Sequence, residues 1–171
     1  IWQELAFDYL ITPCATCTST IRKTWPTMME NLPASADTFR KRIPEIAEKT
    51  RDIHEFLVDA IGLQASQSPG AQTVTYHDPC HLKKSLGIDK QPRTVLAAAG
   101  PWRLVEMRDA DRCCGMGGSF NLEHYELSKK IGAKKREAIL ATGVQTVATG
   151  CPACMLQIID LLSHAQSSIR V

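Results

Sequence analysis

Seven cysteines lie in this chain of 171 residues, and five share one frame: Cys80, the adjacent pair Cys113-Cys114 followed by Gly115, and Cys151-Pro-Ala-Cys154. Between Cys80 and Cys113 there are 32 residues, and between Gly115 and Cys151 there are 35. Ligands so far apart cannot form a local finger. Three distant loops must meet in one folded domain, and the pattern reads as the ligand set of an iron–sulfur cluster. Any fold for this chain has to deliver those loops to one point.

Composition narrows the setting. Hydrophobic residues make up 44% of the chain and charged residues 22%, which suits a single domain with a sizeable core and argues against disorder. The net charge of +2 comes from 20 basic and 18 acidic side chains that are interspersed, so nothing points to nucleic acid. No apolar stretch approaches the roughly 18 residues of a membrane span, and no charged segment with an apolar core opens the chain. Any membrane contact is therefore expected through another subunit. An odd number of cysteines with an adjacent pair does not suit a secreted disulfide framework, whereas in a reducing cytosol the thiols are free to bind metal. The expected location is cytoplasmic. The chain starts at Ile1 and reaches Cys14-Ala-Thr-Cys17 almost at once, which reads as a fragment.

Hydrophobic periodicity and turn residues divide the chain into alternating elements. Strands are expected over Asp8 to Thr12, Thr73 to His77, Arg103 to Met107 and Val144 to Thr149. Helices are expected over Ala15 to Glu30, Leu82 to Leu86, Arg93 to Ala99, Phe120 to Ala141 and Ala153 to Ala165. Another is expected over Ile43 to Ile61, where Ile46, Ala47, Ile53, Leu57, Ala60 and Ile61 recur at helical spacing and Pro44 falls in the first turn. Asn31 to Asp37 reads as a loop and Gln64 to Gln72 as a linker. Such alternation implies an α/β fold, a mainly parallel sheet of about four strands flanked by helices.

Each cysteine group then falls where a strand hands over to a helix. That carboxyl edge is where open parallel sheets bind ligands, and helix N-termini there favour thiolates and a negatively charged cluster. Gly115, Gly117 and Gly118 suit the same site, since glycine lets the main chain approach inorganic sulfur closely.

The residues His77-Asp78-Pro79-Cys80, Cys113-Cys114-Gly115 and Gly150-Cys151-Pro-Ala-Cys154 resemble the CCG cysteine-rich domain. This family occurs in heterodisulfide reductase and in the iron–sulfur subunits of glycolate, lactate and anaerobic glycerol-3-phosphate dehydrogenases. Its motif is usually present twice. The resemblance implies an approximate internal duplication within one domain. Residues 1–62 would be the second half of a first repeat, 63–72 a linker and 73–171 a complete second repeat. Cys14 and Cys17 would be a half site whose partners lie in a missing N-terminal half. It also implies a 4Fe-4S cluster on Cys80, Cys113, Cys114, Cys151 and Cys154, in some members a noncubane form that uses a fifth thiolate.

Other readings of the thiols stay open. Structural zinc takes four ligands, so five cysteines leave one over, although His77 or His81 could replace a cysteine. Without metal, as in an aerobic preparation, the Cys-x-x-Cys pairs could oxidise. Next to a cluster, His77 and His81 are expected to donate hydrogen bonds to sulfur and raise its potential. His54, His124 and His164 are expected on the surface, and Lys129, Lys130, Lys134, Lys135 and Arg136 on a solvated helix face, with Glu126 able to pair with Lys130.

By resemblance, the chain is expected to be an electron-transfer domain of an oxidoreductase, without catalysis of its own. It would relay electrons from a flavoprotein dehydrogenase partner of the lactate or glycolate type to a quinone or other carrier. The alternatives are a catalytic cluster that cleaves a disulfide, as in heterodisulfide reductase, and a structural zinc domain.

Overall fold

The computed structural model describes residues 6–29, 37–66 and 70–171; positions 31–36 of the expected loop and 67–69 of the expected linker lie outside them. Strand β1 (Leu10–Thr12) leads into α1 (Ala15–Ser19), a π-helical turn (Thr20–Thr24) and α2 (Trp25–Met29). Next come α3 (Asp37–Lys49), β2 (Thr50–Asp52), α4 (Ile53–Glu55) and a π-helical turn (Phe56–Ala60). Beyond residue 70 the order is β3 (Gln72–His77), a π-helical turn (His81–Ser85), α5 (Lys90–Ala98) and β4 (Trp102–Leu104). Helices α6 (Ser119–Glu123) and α7 (Tyr125–Leu140), strand β5 (Thr146–Thr149) and α8 (Pro152–His164) complete the chain.

The fold is α/β with parallel strand pairing, as expected, but the strands divide between two sheets. Strand β1 pairs with β2, and β3 lies between β4 and β5. Burial on both faces explains why β3 shows no alternation: Val74, Thr75, Tyr76 and His77 are all buried. Val147 of β5, Ile139 of α7 and Ile158 and Leu162 of α8 belong to one buried core cluster.

Register is what builds the site. His77 pairs with Thr149, so β3 and β5 end level and release Asp78-Pro79-Cys80 and Gly150-Cys151 side by side. The loop after β4 is drawn to the same edge, where the Asp78 N–H donates to the Ala110 carbonyl at 2.9 Å. The smaller sheet joins there too, with the Ala15 N–H donating to the Gly150 carbonyl at 3.0 Å.

Three expectations about helices need correction. The helix expected over Ile43 to Ile61 is interrupted by β2, whose Thr50 and Asp52 are fully buried. Thr50 turns its hydroxyl to the Ile46 carbonyl at 2.6 Å, and Asp52 accepts from the His54 N–H at 2.9 Å as the N-cap of α4. These side-chain bonds compensate the polar groups of a three-residue strand that apolar spacing cannot reveal. Helix α3 also begins at Asp37, so Pro44 is internal rather than in a first turn. Finally, the single helix expected over Phe120 to Ala141 breaks at His124, whose backbone (φ −131°, ψ 48°) is not helical. Among the described residues no helix is long and apolar enough to cross a membrane.

Candidate metal centre

Cys151 has extended backbone (φ −141°, ψ 115°) and caps α8, with Pro152 opening the helix. Proline suits that position because its φ is already helical and its missing N–H has no partner to lose there. A hydrogen bond from the Cys154 thiol, the largest cause, pulls the Cys151 thiol down to about 5. The Thr16 hydroxyl and the N–H groups of Cys154 and Ala153 assist against the cost of burial. Cys154 is correspondingly pushed far up, by its bonds to Cys114 and then Cys151.

The Cys113-Cys114 pair continues this sulfur contact. The Cys113 bond holds Cys114 well below the usual thiol range, with a second bond from Cys154 and a smaller contribution from the His77 ring. Cys113 is raised in return, by its bond to Cys114, by burial and by the nearby Cys80. Cys113, Cys114, Cys154 and Cys151 therefore shift one another's ionisation in turn. Cys114, Cys151 and Cys154 are buried, whereas Cys80 and Cys113 are exposed. His77 stands at the buried end: one ring nitrogen, Cys114 Sγ and Cys154 Sγ lie within 4.8 Å of one another.

The Cys113-Cys114-Gly115 loop is seated on α7. Gly115 has φ +98°, and a Cβ there would meet the Ser128 carbonyl, so close approach to the helix explains this glycine. Opposite it, a Cβ on Gly132 would stand 2.6 Å from the Cys114 carbonyl oxygen. Gly117 and Gly118 also have positive φ, at 57° and 65°. Buried Ser128 donates to the Gly115 carbonyl at 2.8 Å and accepts from Asn121 at 2.9 Å and from Gln157 at 3.3 Å. Residues such as these carry no motif, and Ser128, Gly132 and Gln157 escape a reading based on cysteine spacing.

Lys135 overturns its expected place on a solvated face. Its side chain is fully buried, and Nζ donates to the carbonyls of Asp109 at 2.7 Å and Ala110 at 2.9 Å, anchoring the segment that leads to Cys113. Burial lowers its ammonium to about 8, which leaves it charged at neutral pH. On the same helix Glu126 pairs with Lys129 at 3.0 Å rather than with Lys130. The other anchor is buried Asp78, held by Arg93 at 2.8 and 3.1 Å and by Lys83 at 3.6 Å.

Cys14 and Cys17 come to the same edge. Cys14 caps α1 and accepts from the Cys17 N–H at 3.4 Å, and its hydrogen bond with Cys17 raises the Cys17 thiol. Between the two Cys-x-x-Cys pairs sits Thr16, with Oγ1 3.5 Å from Cys151 Sγ and 3.0 Å from His81 Nδ1. His81 is exposed and faces Thr16, while His54, expected at the surface, pairs with buried Asp52 at 2.7 Å and lies against Gly150.

Two strand–Cys-x-x-Cys–helix units and a glycine-seated cysteine pair, gathered at strand ends, define a cysteine-rich metal-binding domain. The family model for the cysteine-rich domain CCG matches residues 74–159, and the chain belongs to that family. Among its relatives is a subunit of the fumarate reductase (CoM/CoB) of Methanothermobacter marburgensis, 35% identical over 156 residues, covering 91% of this chain and 28% of that protein. An uncharacterized iron–sulfur protein of Methanococcus maripaludis is 34% identical over 163 residues, which are 95% of this chain and 29% of that one. Lactate utilization protein A of Bacillus subtilis is 25% identical over 164 residues, 96% of this chain and 67% of the relative. The chain thus spans under a third of the first two relatives and about two thirds of the third. Thiols in mutual contact are the donors that iron–sulfur clusters use, so the residues fit, and the relatives support an iron–sulfur cluster as cofactor.

Proposed function

We propose that this chain is an iron–sulfur electron-transfer domain of a multi-subunit oxidoreductase, with a 4Fe-4S cluster on Cys80, Cys113, Cys114, Cys151 and Cys154. The observation that carries the reading is the meeting of buried Cys114 Sγ and Cys154 Sγ within 4.8 Å at the strand ends where Cys151 caps α8. When bound, such a cluster supplies one-electron storage. The protein orients the thiols through α7 and α8, offers N–H groups to Cys151, and keeps Cys80 and Cys113 at the surface, within reach of a redox partner. Electrons arrive from a flavin-containing 2-hydroxy-acid dehydrogenase and leave to a quinone or another carrier. The lactate utilization proteins among the relatives support that donor class. On this reading residues 1–62 end a first repeat, 63–72 link, and 73–171 form a second; the recurrence of strand, Cys-x-x-Cys and helix in β1–α1 and β5–α8 supports it.

A second reading, a cluster that itself cleaves a disulfide, is favoured by Thr16 of the first Cys-x-x-Cys pair lying 3.5 Å from Cys151 Sγ and by the fumarate reductase (CoM/CoB) subunit among the relatives. Anaerobic reconstitution with iron and sulfide, followed by metal analysis, tests the shared premise. A brown chain with one cluster is the expected product. A colourless chain with stoichiometric zinc overturns it. Reduction of the loaded chain by a cognate flavoprotein with lactate or glycolate then favours the relay, and turnover of a small disulfide by the loaded chain favours the reductase.

A further inference from the structure

We infer that His77 is itself a ligand of the metal centre, bonding through Nε2 at its buried end beside Cys114 and Cys154. The inference rests on the iron–sulfur reading above and adds a nitrogen to its sulfur ligands.

His77 closes β3, is 1% exposed, and holds Nδ1 3.2 Å from the Ala110 carbonyl oxygen. A carbonyl oxygen can only accept, so Nδ1 carries the proton. That oxygen also receives the Asp78 N–H and the Lys135 ammonium, each at 2.9 Å. With Nδ1 bonded to that oxygen, Nε2 is the ring nitrogen left to meet another partner.

Nε2 is buried and makes no hydrogen bond among the described residues. One ring nitrogen of His77 lies within 4.8 Å of Cys114 Sγ and Cys154 Sγ, and Nδ1 is already taken by the Ala110 carbonyl. A metal ion held by the two sulfurs would give Nε2 the partner it lacks. A backbone carbonyl that receives the opposite ring N–H is the usual device that orients a metal-bound histidine. His81 has neither feature, being exposed with Nδ1 turned to Thr16.

The test uses the whole chain, reconstituted anaerobically with iron and sulfide and poised in a paramagnetic state. Electron spin-echo spectra are compared for natural-abundance protein and protein labelled with ¹⁵N-histidine. Strong coupling from a directly bonded nitrogen, changing with the label, is expected. It should persist in His81→Asn and vanish in His77→Cys. An iron-loaded chain without strong histidine coupling, or with coupling lost in His81→Asn, overturns the ligand assignment and leaves the cluster assignment intact. A chain that binds no iron overturns both. Should His77→Cys fail to fold, the labelled parent and His81→Asn still decide, because His54, His124 and His164 lie outside the group around Cys114 and Cys154.

Discussion

Neighbouring thiols hold Cys151 and Cys114 below the usual thiol range, which makes the stability of the metal-free chain depend on pH. In the folded, metal-free chain Cys151 ionises at about 5, against an ordinary value near 9. Between those values the unfolded chain binds the extra proton, so stability rises with pH. Lys135, lowered to about 8 by burial, acts in the same direction above that pH. The denaturation midpoint of the metal-free chain is therefore expected to climb from about pH 5 to about pH 9; a flat or falling midpoint would contradict the assigned thiolates. Ligand substitution gives a second expectation. Cys114→Ser should remove or alter the cluster spectrum, while Cys14→Ser should leave it nearly unchanged, as read by absorption and iron content. Equal loss from both would place Cys14 within the ligand set.

At the scale of elements, the cysteine pair depends on how closely its loop approaches α7. Replacing Gly132 with alanine puts a Cβ 2.6 Å from the Cys114 carbonyl and from Leu161 Cδ1, and neither backbone nor core yields easily. An overpacking cost of about 1–3 kcal/mol follows. Thermal melting should show it, together with reduced iron uptake, and a fully loaded variant with unchanged melting would refute the seat. Ser128→Ala leaves the Gly115 carbonyl without its buried donor, at a cost of about 1–3 kcal/mol. Chemical denaturation checks that value. Helix boundaries were less legible than helix existence. Apolar spacing over Ile43 to Ile61 continues across β2, because Thr50 and Asp52 bury polar side chains that find local partners.

For the whole molecule, the proposed relay separates substrate chemistry from electron storage. The isolated, cluster-loaded chain is expected not to oxidise lactate or glycolate with an artificial acceptor. With a cognate flavoprotein, substrate should bleach the cluster. Cys114→Ser should then slow transfer to the acceptor more than reduction of the flavin, measured by stopped flow. Hydroxy-acid turnover by the isolated chain would overturn the relay.

Cysteine spacing was enough to place the cysteine groups at strand ends, because parallel strands deliver their loops to one edge whatever the details of packing. The family and its iron–sulfur character were legible for the same reason: Cys80, Cys113-Cys114-Gly115 and Cys151-Pro-Ala-Cys154 carry the pattern in the residues themselves. Tertiary structure alone decided the rest. Parallel register sets His77 level with Thr149, so the loops that carry Cys80 and Cys151 leave the sheet side by side. Division into two sheets puts Thr16 between the Cys-x-x-Cys pairs. Burial of Lys135 under the loop before Cys113 could not be read from a basic helix, since a run of lysines looks alike whether its members face water or carbonyl oxygens. Which member turns inward depends on the rotation of α7 against the sheet, a property of packing between distant segments that spacing along the chain does not encode.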